Sequence, residues 1–169
     1  ILVHGGGKRL TNKLNQLNSS LRLLTVAYLI VLGIGVATGI IYVAATTSMS
    51  PSGTIERYIG NNDDWEPKQA KEFIDLISQA HQHIVMFSLI FLSIGLIFSR
   101  NSIIKGPLKL FLIIEPFISI IVTFGGFFIL RYLMPNFVYI IIISSTLMYT
   151  CFYIMMLVSL YDLLLKNES

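Results

Sequence analysis

The pattern of apolar positions divides the chain into four long hydrophobic runs separated by polar segments. A helix needs about 20 apolar residues to cross the ~30 Å hydrocarbon core of a bilayer, because it rises about 1.5 Å per residue. The runs are continuous rather than alternating, which excludes the strands of a membrane barrel. They predict spanning helices at 23–45, 82–98, 108–130 and 137–165. The expected fold is an all-α membrane protein, a four-transmembrane-helix bundle.

Composition agrees with this class of protein. Of the 169 residues, 54% are hydrophobic and 12% are charged, whereas a soluble domain carries about 25% charged residues. The mean hydropathy of the chain is +0.75. The positions of the four runs divide the chain into three parts. Residues 1–22 are predicted to form an N-terminal cytoplasmic tail, and residues 167–169 a C-terminal tail. Residues 23–166 are predicted to form a single transmembrane domain, which includes an outer loop at 46–80.

Charged residues predict the orientation of the bundle, because cytoplasmic segments of membrane proteins are enriched in lysine and arginine. Four bases and no acid precede the first span, and three bases and no acid lie between the second and third spans. The outer loop instead carries six acids against three bases. These counts predict an integral membrane protein with both termini in the cytoplasm. The net charge of +3 is then a topology signal and implies no nucleic-acid partner.

The outer loop contains a predicted amphipathic helix. Residues 66–83, EPKQAKEFIDLISQAHQH, place Pro67 at a first-turn position, followed by apolar residues at helical spacing. No helix-breaking residue separates this segment from the second span, so one helix is expected over 67–98. It would reach roughly 15 to 20 Å beyond the membrane core. The bundle is thus predicted to have an extended second helix reaching out of the membrane.

Two histidines, His81 and His83, stand where this helix meets the second apolar run. Residues i and i+2 of a helix lie about 200° apart, so the two imidazoles face opposite sides and do not chelate one ion together. His81 is spaced by seven from Ser88, which predicts a small-residue face for helix contact. His83 instead falls on a face of bulkier residues. Either is a candidate cofactor ligand, with haem as the cofactor considered; the alternative is interfacial hydrogen bonding.

A haem would need a second axial ligand, since no other span carries a histidine. A methionine or a histidine from another chain would have to supply it. No metal site is predicted. The single cysteine, Cys151, lies inside the fourth span and is interpreted as a packing residue.

The third span contains an acid, Glu115, about six residues inside its cytoplasmic end. A charged group at this depth costs a few kcal/mol unless it finds a partner. Glu115, Ser119 and Thr123 are spaced by four and form an intramembrane polar stripe. One interpretation is a small proton or ion pathway. The other is that Glu115 snorkels or bonds to hydroxyl groups of the fourth span.

Glycines give two candidate helix-packing seams, because small residues let membrane helices approach closely. The first seam lies in the first span and the second continues the polar stripe of the third span. Their members are Gly33, Gly35, Gly39, Gly125 and Gly126. The partners expected at these seams are other membrane protein subunits or further copies of the chain, with membrane lipid around them.

Several segments carry a family resemblance. They are ERYIGN (56–61), EPKQAKEFIDLISQAHQH (66–83), the basic link ending at Lys109, EPF (115–117) and NFVYIIIISS (136–145). Together they resemble small, uncharacterised bacterial four-span membrane proteins with a Tyr-x-Gly-Asn loop and a His-x-His helix, which implies an integral protein of the bacterial cytoplasmic (inner) membrane. Some relatives are joined to a cytochrome c domain, which implies an electron-transfer setting. This chain lacks a Cys-x-x-Cys-His motif, and it has Thr123 and GGFF (125–128) where the family pattern places an acid and tryptophans.

Three functions are consistent with these patterns. The first is a non-catalytic integral membrane subunit packed in a larger complex, such as a respiratory one, or in an oligomer. The second is a haem- or metal-binding electron-transfer module that uses His81 or His83. The third is the proton or ion pathway at Glu115. An enzyme is not expected, because the sequence has no Ser/His/Asp set, paired carboxylates at one depth or nucleophile elbow.

Overall fold

The computed structural model describes residues 13–61 and 67–165. It contains five α-helices: α1 (Ser19–Thr47), α2 (Pro51–Ile59), α3 (Phe73–Ser99), α4 (Pro107–Tyr132) and α5 (Val138–Leu164). Short 3-10 turns at Leu14–Gln16 and Pro135–Phe137 precede α1 and α5. Four of the helices, α1, α3, α4 and α5, are long and apolar enough to cross a membrane. The predicted four-transmembrane-helix bundle is therefore confirmed. The tail up to residue 12, the acidic stretch 62–66 and the C-terminal tail lie outside the described residues.

Local chemistry accounts for where the first two helices begin. Asn18 caps α1 because its side-chain oxygen accepts a hydrogen bond from the backbone N–H of Leu21. Ser50 caps α2 in the same way, through the backbone N–H of Gly53, and Pro51 occupies the first turn. The outer loop therefore contains α2, a helix that the sequence pattern did not predict.

The helix that contains the second span begins later than its predicted start at Pro67. Helix α3 starts at Phe73, and 67–72 is not helical. The reason is a set of competing backbone hydrogen bonds: the N–H of Asn61 donates to the carbonyl of Lys68 at 3.0 Å, and the N–H of Lys71 donates to the carbonyl of Tyr58 at 3.1 Å. These bonds hold the segment against the end of α2. At 27 residues, α3 is still longer than the roughly 20 residues that a bilayer requires.

The bundle core is centred on α4 and α5, which pack closely along their length, with α3 against both. Three phenylalanines, Phe91, Phe98 and Phe152, are almost fully buried there. A second cluster lies under α2, at the end of the bundle where α3 begins, and there the buried Tyr58 stacks on Phe127 with ring centroids 4.1 Å apart. Helix α1 is peripheral: it contacts mainly α2 and α5, and few of its residues are buried.

Candidate functional site

The two histidines lie on different faces of α3, as helix geometry requires, but the inward one is His83. His81 is exposed, whereas His83 is half-buried. The His83 ring packs against Phe124 of α4 with centroids 4.9 Å apart, and against Phe87 at 6.1 Å. Within the bundle of one chain, His83 and not His81 therefore lies on the face of α3 that contacts another helix.

A hydrogen bond orients the ring of His83. Its Nδ1 lies 2.8 Å from the carbonyl oxygen of Gln79. Because a carbonyl oxygen accepts hydrogen bonds and never donates them, Nδ1 carries the proton of the neutral ring, and the lone pair is then on Nε2. Histidines that ligate metals or haem are oriented in the same way, by a backbone or carboxylate acceptor of the other nitrogen.

Gln79 connects this histidine to the outer loop. Its side-chain amide donates a 2.7 Å hydrogen bond to the hydroxyl of Tyr58. Burial raises the pKa of the Tyr58 phenol, so the group is neutral and serves as a hydrogen-bond partner. The side chain and backbone of Gln79 therefore link the Tyr-x-Gly-Asn loop to the His-x-His helix.

Gly60 of the same loop has φ +88, and a Cβ there would lie 2.6 Å from the carbonyl oxygen of Lys68.

The described residues contain no cluster of metal ligands. Within 13–61 and 67–165, no group of three or more histidine, cysteine, aspartate or glutamate side chains is arranged to hold a metal ion.

Glu115 lies in the interface between α4 and α5, with 7% of its surface exposed, so it does not snorkel. Its Oε1 accepts a short hydrogen bond from the hydroxyl of Ser119 on the same helix. The thiol of Cys151 on α5 lies beside the carboxyl, and Oε2 accepts no hydrogen bond from the described residues. The expected bond from Glu115 to a hydroxyl of the fourth span is thus replaced by one within α4.

The rest of the polar stripe does reach α5. The Thr123 hydroxyl donates to the Ser144 hydroxyl at 3.1 Å, and Ser144 donates in turn to the backbone carbonyl of Ser119 at 3.1 Å. Glu115, Ser119, Thr123 and Ser144 therefore form one buried polar cluster that links α4 to α5. A proton or ion pathway through Glu115 stays a prediction.

A second buried acid, Asp162, was not singled out by the sequence. It lies near the end of α5 with no exposed surface. Its carboxylate accepts hydrogen bonds from the backbone N–H of Ser102 at 2.6 Å and from the Ser102 hydroxyl at 2.8 Å. Nearby, the Lys109 ammonium donates to the backbone carbonyl of Asn101 at 3.1 Å. Asp162 thereby ties the connection between α3 and α4 to the end of α5.

The five seam glycines separate into two groups. A Cβ added at Gly33 would lie 2.5 Å from the sulfur of Met156, and one at Gly126 would lie 2.9 Å from Ile141. These two glycines permit close contact inside the bundle, with α5, and are not free docking surfaces. At the other three, the added carbon has no described heavy atom within 4 Å apart from the adjoining residues and backbone of its own helix; they are Gly35, Gly39 and Gly125.

An open apolar cleft lies between α1 and the rest of the bundle, with a volume of about 380 Å³. Phe87 and Ile90 of α3 and Tyr149 of α5 form one wall. The other wall belongs to α1 and consists of Tyr28, Val31, Leu32, Gly35, Val36 and Gly39. The cleft exists because the two glycines leave space where side chains would otherwise fill it.

Comparison with known proteins places most of the chain in one family. Residues 48–169 match a family model that is described as a transmembrane helical domain. The match begins at the C-cap of α1, so it covers α2 to α5 and leaves α1 outside. Comparison with curated proteins and with solved structures gave no match.

Proposed function

The chain belongs to the Aq_1264_TM family of transmembrane helical domains and is an integral membrane protein, and we propose that it acts as a non-catalytic subunit of a membrane assembly. The partner is another membrane protein or a second copy of the chain. The observation that supports this proposal is the outward surface of α4, where Gly125 stands open beside a shallow apolar hollow.

The hollow has the properties of a helix-docking surface. It has a volume of about 430 Å³ and is lined by Ile114, Phe117, Ile118, Ile121 and Val122. Gly125 lies one turn beyond Ile121 on the same side of α4. Lipid tails are as apolar as these side chains, so membrane helices associate through shape and close backbone approach rather than through hydrophobicity. A hollow bordered by an open glycine provides both.

Substitution at Gly125 tests this docking surface. Gly125→Phe should convert an assembled species into the 19.0 kDa chain, because the ring occupies the space that a partner helix would use. The measurement is native mass spectrometry of protein extracted in mild detergent. Ile143→Phe is the matched control, since Ile143 is an exposed residue of α5, and it should leave the assembly intact. A monomeric wild-type protein, or an assembly that survives Gly125→Phe, would contradict the proposal.

We also propose that the connection between α3 and α4 faces the bacterial cytoplasm and that α2 faces outward, because the connection and the start of α4 carry Arg100, Lys105 and Lys109. Cysteines placed at the exposed positions Ser52 and Lys105 test this orientation. An impermeant maleimide added to intact cells should label Ser52→Cys and spare Lys105→Cys until the membrane is opened. The native Cys151 is buried and adds little background. The reverse labelling pattern would overturn the orientation.

The second candidate function is haem or metal binding through His83, and the observation that favours it is the Nδ1 hydrogen bond to Gln79. That bond leaves Nε2 able to ligate, and a partner chain would supply the other axial ligand. Cofactor binding by His83 and assembly with a partner are therefore compatible.

A haem titration distinguishes the two histidines. Wild-type protein titrated with haemin should develop a Soret band, which His83→Ala should abolish because it removes the oriented lone pair. His81→Ala is the matched control, since His81 is exposed on the same helix, and it should leave the band unchanged. If the wild-type band is missing, or if both variants lose it equally, His83 is not the ligand.

A further inference from the structure

We propose that the cleft beside α1 is a binding site for one anionic phospholipid, with a tail along the cleft and the phosphate on Arg22 and Arg100. The residues that line the cleft belong to the spanning helices, so the cleft opens into the bilayer. Its occupant is therefore a membrane lipid or another membrane-embedded molecule. The length of the cleft and the charges at one end favour a lipid among such occupants.

The length of the cleft matches a hydrocarbon tail. Its α1 wall runs from Tyr28 to Gly39, a distance of about 16 Å along the helix axis. This distance is close to half of the ~30 Å membrane core, the depth of one leaflet. A single tail that belongs to one leaflet therefore spans the cleft, whose volume is about 380 Å³.

One end of the cleft is basic. Tyr28 of α1 hydrogen-bonds to Ser93 of α3 at this end, and the two helices run in opposite directions. Six residues back along α1 from that contact is Arg22, and seven residues onward from Ser93 is Arg100. Both arginines therefore lie about 10 Å beyond the contact, at the depth of lipid headgroups when the tail fills the cleft.

Arg22 lies on the bundle side of α1. It is half-buried, and the buried Leu29 lies one heptad further along the helix, a rotation of only about 20°. Neither Arg22 nor Arg100 forms a salt bridge within the part of the chain that the structure describes. An arginine guanidinium suits a phosphate because its planar donors bind two oxygens at once. The arginines are thus placed to bind an anionic headgroup.

Other basic residues add to the positive charge at this end of the bundle. Five described bases lie at this end of the bundle, Lys13, Arg22, Arg100, Lys105 and Lys109, against the single described acid Asp162. The Asp162 carboxylate is already bonded to Ser102. An anionic lipid therefore gains more here than a zwitterionic one.

Lipid retention measured by native mass spectrometry tests the site. The protein is reconstituted in nanodiscs that contain equal amounts of phosphatidylglycerol and phosphatidylcholine with identical tails, then released into the gas phase. Wild-type protein should retain phosphatidylglycerol in preference to phosphatidylcholine. Arg22→Gln and Arg100→Gln should each lower that preference about fivefold, the effect of one basic side chain at a charged membrane surface. Equal retention of the two lipids by the wild-type protein would overturn the proposal.

Two further variants test whether the site is local. Gly35→Phe should reduce retention of both lipids, because its ring enters the cleft, where the added Cβ has no described atom of another helix within 4 Å. Gly39→Phe serves as a second variant, and circular dichroism checks that both remain helical. Lys68→Gln, which changes an exposed base at the opposite end of the bundle, is the charge control and should leave the preference unchanged. Loss of preference in Lys68→Gln, or unaltered lipid retention in both glycine variants, would show that lipid is not bound in the cleft. Release of a copurifying protein by Gly35→Phe would show that a polypeptide occupies it.

Discussion

Gly126→Leu should lower the free energy of unfolding of the bundle by about 3 kcal/mol, near the upper end for overpacked cores. A Cβ at this position would lie 2.9 Å from Ile141 and 2.9 Å from the ring of Phe137. A leucine adds three more carbons in the same direction. Helices α4 and α5 would have to separate, and the polar cluster between Thr123 and Ser144 would lose its geometry. Unfolding in a sodium dodecyl sulfate titration, followed by circular dichroism, measures the effect.

The neighbouring glycine supplies the matched control. Gly125→Leu makes the same chemical change one residue earlier, where no described heavy atom of another helix lies within 4 Å of the added carbon. Its unfolding free energy should stay within about 0.5 kcal/mol of wild type, as for other exposed substitutions. Equal destabilisation by both variants would contradict the assignment of Gly126 to the bundle interior and Gly125 to its surface.

This glycine pair illustrates what hydropathy cannot determine. The number of spans and their approximate limits follow from the length of the apolar runs, because the bilayer thickness imposes that length. Which glycine is packed and which is open depends on how far each helix is rotated toward its neighbours. Gly125 and Gly126 are identical in the sequence pattern, and a rotation of about 100° between adjacent residues separates their environments.

The rotation of α3 about its own axis also explains why His83, and not His81, faces the bundle. Helix periodicity correctly placed His81 and His83 on different faces, but the choice of the inward face relied on the spacing of seven from Ser88 to Gly95. A straight helix drifts by about 20° per heptad relative to that spacing, so a face that is buried at Gly95 has turned outward at His81. The aromatic residue one turn from His83, Phe87, packs against Phe124 in the core. This i, i+4 pair indicated the inward face of α3 at this level more directly.

The outer loop was the least predictable segment, because long-range hydrogen bonds compete with helix propensity there. The apolar spacing after Pro67 favoured a helix, yet the bonds from Asn61 and Lys71 hold this segment non-helical. The signal for α2 was present in the sequence, as Ser50 followed by Pro51 is a typical helix start. It was overlooked because the segment SMSPSG also has the composition of a turn.

Asp162→Ala should also destabilise the protein strongly, by about 3 kcal/mol, because it removes a fully buried acceptor of two hydrogen bonds. Sequence reasoning missed this residue since an acid near the end of a span looks like an ordinary exit into water. Its partner, Ser102, lies 60 residues away in the connection between α3 and α4. Without the carboxylate, that connection loses its attachment to α5, and the same detergent titration should detect the loss.

A double-mutant cycle shows whether the loss comes from this contact. Ser102→Ala removes the hydroxyl bond but keeps the backbone N–H that also donates to Asp162, so it should cost about 1 kcal/mol. Because the hydroxyl and the carboxylate act together, the double variant should be less destabilised than the sum of the single variants by roughly 1 kcal/mol. Asp162→Asn, which keeps one acceptor oxygen, should fall between wild type and Asp162→Ala. Strict additivity in the cycle would mean that Asp162 stabilises the bundle through contacts other than the Ser102 hydroxyl.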